Sequence, residues 1–165
     1  MSCFRTDFRK APKGLLPTCC CPRARAVLSL LLLTAAVTTG PAAPAHATAP
    51  YGARAVAVAA SKQGSPYAYG ATGPKRFDCS GLTLYAFKKA GKRLPRTAEQ
   101  QYEHTRHIPE ADRAAGDLVF FPSGATMTHV GIYAGDDRIW HAPRPGTRVR
   151  LERIWSTAVR YGRAT

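Results

Sequence analysis

Three residues able to do nucleophilic chemistry stand far apart in the chain: Cys79, His129 fifty residues later, and His141 twelve after that. A thiolate attacks carbonyl carbon, an imidazole can take the thiol proton, and a third polar group can orient that imidazole. Together they would make a scheme for covalent acyl transfer. The same residues could be read as a zinc site, but structural zinc uses four ligands at tighter local spacing, and no C-x-x-C or H-x-x-x-H occurs. No metal ligand set and no organic cofactor is expected. A lone cysteine is also often a small buried hydrophobe, so local context has to decide.

The elements that must position these groups are legible in part. Residues 51–62 (YGARAVAVAASK) read as a first helix, and 64–77 as a glycine- and proline-rich loop. Asp78 then precedes CSGLTLYAFKKAG, with Lys88 and Lys89 in the last turn and Gly91 just past it, which predicts a capped helix starting at the thiol. At that helix start, free N–H groups and the helix dipole favour a thiolate, and an adjacent imidazolium would add to the effect. Cys79, Leu82 and Ala86 share one helical face, which points the sulfur toward the interior edge. Residues 97–104 read as a short helix.

From Asp117 onward the pattern is β-rich: 117–122, 128–135, 138–143, 147–153 and 157–162, separated by Gly, Pro or Asp turns. Gly135-Asp136-Asp137 reads as a tight hairpin. Counting outward from residue 136 sets His129 near position 143 and His141 near 131, so the imidazoles fall at one end of one ribbon. The stretch TRVRLER alternates strictly and predicts a half-exposed strand with its arginines in water. Helices followed by a strand meander indicate an α+β domain on an antiparallel sheet.

Ahead of this domain, residues 26–37 (AVLSLLLLTAAV) form an uncharged run after a basic segment, and Ala45-His46-Ala47 fits a cleavage site. Residues 1–47 therefore read as a signal peptide and 48–165 as the exported domain. Twelve helical residues span roughly 18 Å, short of a bilayer core, so no stable membrane anchor is expected. Cys3, Cys19, Cys20 and Cys21 would leave with the signal, and Cys79 would remain as a single thiol. Residues 26–165 carry 18 basic and 9 acidic side chains, which suits anionic partners such as wall polymers. No basic run interleaved with aromatics is present, so nucleic acid is not expected.

The segments PYAYGATGPKRFDCSGL (66–82), LPRTAEQQY (94–102), GDLVFF (116–121) and HVGIYAGDDRIWHAP (129–143), in that order, resemble the NlpC/P60 family of cell-wall peptidases. The resemblance implies a papain-like fold with N-terminal helices packed on an antiparallel β-sheet. It also implies a secreted, monomeric cysteine endopeptidase acting on peptidoglycan stem peptides, at the bond between D-γ-glutamyl and a diamino acid. In that frame Cys79 is the nucleophile, His129 the base and His141 the orienting residue. Tyr67 has an oxyanion or substrate-binding role, and Asp78 and Ser80 resemble positions that contact the stem peptide. Asp78 is equally a helix cap and Ser80 a first-turn residue. Arg96 and Thr97 match the family's R-T element, and Gly70-Ala71 replaces its usual glycine pair. An amidase or acyltransferase on the same thiol fold, or a non-catalytic wall-binding module, are the alternatives.

Overall fold

The computed structural model describes residues 51–165. The expected signal segment lies outside them. Three helices come first: α1 (Gly52–Ala60), α2 (Cys79–Ala90) and α3 (Ala98–Glu103). The strands follow as β1 (Arg106–Ile108), β2 (Leu118–Ser123), β3 (Thr126–Gly135), β4 (Arg138–His141), β5 (Arg150–Arg153) and β6 (Arg160–Arg163). They form one six-stranded sheet in the order β1-β6-β2-β3-β4-β5, antiparallel at every pairing. The α+β architecture is the expected one. No helix among the described residues is long and apolar enough to cross a membrane.

Two differences from the expected meander have physical reasons. β6 turns back to pair with β2 instead of extending the sheet beyond β5, and it brings β1 with it. Gly162 makes that return feasible, because a side chain there would run into Thr105 and Phe120. β1 has only three residues, too few for an alternation pattern to register. The expectation of alternating burial in TRVRLER also fails: Leu151 is exposed on this edge strand, and Glu152 is the half-buried residue.

β2 explains why the sheet is apolar on both sides. Leu118 and Phe120 face α1 and α2 with Val130, Ile132 and Trp140. Val119 and Phe121 face a second cluster with Tyr133, Ile139 and Tyr161. Strand side chains alternate between faces, so the run LVFF is buried throughout only because both faces are covered. The helix layer is closed by Ala55, Ala59, Leu82, Ala86, Phe87 and Ala90, all at or near zero exposure.

Helix α2 is terminated as its sequence predicts. The Asp78 carboxylate accepts from Gly81 N at 2.7 Å, and Gly91 ends the helix in the left-handed region at φ 100°. Gly81 itself lies under the loop that carries Ala71: a methyl group there would overlap the Ala71 carbonyl oxygen and crowd the Asp78 carboxylate. Both obstacles are held in place, so the loop would have to move. Gly81→Ala is expected to cost about 2–3 kcal/mol of stability, read as a lowered urea midpoint. An unchanged midpoint would mean that the loop does not press on the helix head.

Candidate active site

Cys79 opens α2, and the head of that helix is held from several directions. The Asp78 carboxylate accepts from Gly70 N at 2.8 Å as well as from Gly81 N, and it is paired with Arg96. Arg96 also donates to Ser80 Oγ at 2.9 Å. Both Asp78 and Ser80 are nearly buried. The carboxylate of Asp78 therefore spends its lone pairs on the loop, the helix and Arg96, while one side of the residue still lines the cleft. Arg96, matched in the sequence only to an R-T element, fastens both neighbours of the thiol.

Tyr67 is placed by backbone pairing: its N–H donates to Thr147 O at 2.9 Å, and it bridges to Phe77. A cavity of about 570 Å³ is lined by Tyr67, Tyr69, Cys79, Ser80, Arg96 and Thr128, among others. A second, of about 500 Å³, is lined by Thr128, His129, His141, Arg144, Glu152 and Trp155 with their neighbours. Thr128 belongs to both walls. The thiol thus faces one cavity and the imidazoles the other, with Thr128 common to both.

That residue sits in a β-bulge. β2 and β3 pair Phe121 with His129, but then Pro122 with Met127, so Thr128 is the extra residue. A bulge bends its strand and re-aims the neighbouring side chain. His129 occupies the sheet face opposite the helices, with the parity of Tyr133, whereas Val130 faces the helix layer. The backbone of Val130 comes close enough to the Cys79 sulfur to pull the thiol's pKa down. Val130, beside the sulfur, is thus the residue next to His129 along β3.

The hairpin count holds. Ile132 pairs with Trp140 and Tyr133 with Ile139, the register centred on residue 136, with a shift only beside the turn. His129 Nε2 lies 2.9 Å from His141 Nδ1, and His141 Nε2 lies 2.9 Å from Glu152 Oε2. Arg150 Nε donates to the same Glu152 oxygen at 2.8 Å. Trp155 covers the pair, its ring 5.7 Å from His129 and 5.3 Å from His141, and stacks on Phe121 at 4.1 Å. Glu152 and Trp155 were missed by the sequence reading. The strand signal of 147–153 contained Glu152, but nothing local set its register against β4.

The electrostatics depart from the expected thiolate–imidazolium pair. Burial pushes the Cys79 thiol up, and Asp78 adds to this; donation from the backbone of Val130 and from Ser80 only partly offsets it. Burial, helped by the nearby His141, pushes His129 down to about 4. His141 is also lowered by burial, against the pull of Glu152. Desolvation disfavours both charged forms and outweighs the helix start, so thiol and imidazole rest neutral. Tyr67 is raised by burial and by the neighbouring Cys79 and Asp78.

Comparison with known proteins now bears on this arrangement. The family model described as NlpC/P60 family matches residues 64–161. The chain belongs to the NlpC/P60 family. A probable endopeptidase of Corynebacterium glutamicum is 48% identical over 113 residues, covering 68% of this chain and 53% of that protein. The bifunctional muramidase/DL-endopeptidase CwlT of Bacillus subtilis is 48% identical over 88 residues, covering 51% of this chain and 27% of that one. The chain therefore spans about half, or less, of these NlpC/P60 relatives. Among solved structures, the P60 domain of a Mycobacterium avium subspecies paratuberculosis antigen superposes with a TM-score of 0.62 at 27% identity, covering 69% of this chain and 94% of that one.

Two measurements follow from the neutral pair. The folded NlpC/P60 domain keeps His129 unprotonated down to about pH 4, whereas an unfolded histidine takes up its proton near 6.5. Stability is therefore full above pH 6.5 and falls as pH drops toward 4, by roughly 3 kcal/mol from this residue. Urea unfolding across that range should show the loss, and His129→Gln should shrink it. Second, iodoacetamide should label Cys79 slowly in acid and at neutral pH, and faster only as pH rises above the ordinary thiol range. Rapid labelling at acidic pH would restore the ion pair.

Proposed function

We propose that this domain is a cysteine peptidase that hydrolyses peptidoglycan stem peptides, with Cys79 as nucleophile, His129 as base and His141 orienting it. The observation that carries this reading is the single described thiol at a capped helix start, beside the backbone of Val130, the residue next to His129, which is itself bonded to His141. The naming of relatives as endopeptidases, and of one as a muramidase/DL-endopeptidase, supports a peptide bond within peptidoglycan as the target. The finer reading is cleavage between D-γ-glutamyl and a diamino acid, outside the cell after removal of residues 1–47.

The steps follow from atoms in the cleft. His129 Nε2 is committed to His141, so Nδ1 is the nitrogen left to take the Cys79 proton as sulfur attacks the scissile carbonyl. The resting proton stays on sulfur until then, because neither charged partner is stable alone in this buried pair. The carbonyl oxygen becomes an oxyanion near the start of α2, where the Cys79 N–H and the Tyr67 hydroxyl can donate to it. Imidazolium then returns its proton to the leaving amine, which departs and leaves an acyl-thioester on Cys79. Water then attacks the thioester carbonyl as His129 Nδ1 takes its proton; the C–S bond breaks, the acid leaves, and the imidazolium returns the proton to sulfur. Asp78, Ser80 and Arg96 line the acyl side of this cleft and hold the nucleophile steady.

The basic surface bears on partners rather than chemistry. Arg138 and Arg153 are paired on β4 and β5 and, with Arg144, are exposed, which fits retention by anionic wall polymers. Retention on purified walls should therefore weaken as salt rises, and salt-independent retention would contradict it.

Cys79→Ala and His129→Ala should each lower cleavage of a defined muropeptide by at least about 1,000-fold while the fold survives. Product masses identify the bond. Normal turnover by Cys79→Ala would end the peptidase reading, and masses from a different bond would move the activity to amide or acyl transfer.

A further inference from the structure

The thiol-peptidase reading uses His129 Nδ1 as base, but a neutral imidazole can carry its proton on either nitrogen, and only one choice works. What decides it lies outside the three residues just assigned. Glu152 is an ionised carboxylate: burial alone would raise it, but donation from Arg150 and His141 brings it below its usual range. An ionised carboxylate accepts and cannot donate. The nitrogen facing it, His141 Nε2, must therefore carry the hydrogen. A neutral His141 then offers a bare Nδ1, and His129 Nε2, 2.9 Å away, must donate to it. That leaves the lone pair of His129 on Nδ1.

We propose that Glu152 is a positioning residue that sets the tautomers of both histidines through this chain of hydrogen bonds and so aims the basic nitrogen at the thiol. Arg150 serves the same end from the same face of β5. It donates to Glu152 Oε2 at 2.8 Å from Nε, and its Nη2 lies 2.7 Å from the same oxygen. Glu152 is 39% exposed and would otherwise turn freely into water. His141 is only 1% exposed, and Glu152 Oε2 is the partner its Nε2 has. The relay thus starts at a clamped surface charge and ends at the buried base. An alternative function for Glu152, an ordinary strand ion pair with Arg150, would leave the ring protons indifferent to its loss.

Proton-detected ¹⁵N NMR of the full chain separates the two, and it does not depend on what the enzyme cuts. In the wild type at neutral pH, both histidines should show Nε2 protonated and Nδ1 bare. In Glu152→Leu the two forms should mix, and Glu152→Gln, which keeps an acceptor oxygen, should restore the wild-type pattern. On a stem peptide that the wild type cleaves, Glu152→Leu should lower kcat on the order of 100-fold with KM unchanged, and Glu152→Gln should recover most of the loss. If Glu152→Leu does not fold, Glu152→Ala carries the same comparison. A wild-type His129 protonated at Nδ1, unchanged tautomers in Glu152→Leu, or wild-type kcat in that variant would each overturn the assignment. Failure of all variants and the wild type to cleave stem peptide, with the tautomer pattern intact, would instead refute the peptidase reading alone.

Discussion

The Asp78 carboxylate is the tie on which the site depends. It is almost buried, and it gathers Gly70 N–H from the loop, Gly81 N–H from the helix and the Arg96 guanidinium from the segment before α3. Three pieces of chain, distant in sequence, are thereby pinned around the next residue, which is Cys79. A buried carboxylate without such partners would be expensive, so the arrangement is held as a unit. With the loop fixed, Tyr67 faces the sulfur; with Arg96 fixed, Ser80 is held beside it. Cys79 thus heads a helix whose flanking residues are each tied by hydrogen bonds.

A second constraint comes from the sheet. His129 and His141 lie on the face away from the helices, and Cys79 heads a helix on the other face. The link between the two faces is β3, which opens with a bulge at Thr128 and carries both His129 and Val130, whose backbone lies by the sulfur. The dry surroundings that this packing creates explain the neutral resting pair. A site that stored a thiolate would gain intrinsic reactivity toward any electrophile. One that keeps the proton on sulfur reacts when a bound carbonyl allows proton transfer and attack together.

Much of this was legible in the linear sequence wherever the determining interactions are local. The cap at Asp78, the stop at Gly91 and the Thr97-to-Gln100 capping box of α3 are decided within four or five residues. The tight turn at Gly135-Asp136-Asp137, with positive φ at all three, sets a register that brings the histidines together by counting alone. Glu152 was not legible, because β5 reaches β4 through residues 142–149 and no short turn fixes its pairing. The Thr128 bulge and the return of β6 to β2 are likewise settled by packing. The charge states were misread for a related reason: the helix start is visible in sequence, but the burial that outweighs it is not.

The central claim is that one sulfur at the head of α2 does covalent chemistry on a stem-peptide carbonyl. A stem peptide ending in a chloromethyl ketone at the scissile position, followed by intact-mass and fragment analysis, tests it most directly. The account predicts one equivalent attached at Cys79, loss of activity in step with attachment, and slower attachment in His129→Ala. Attachment elsewhere, or full labelling of Cys79 with activity unchanged, would contradict it.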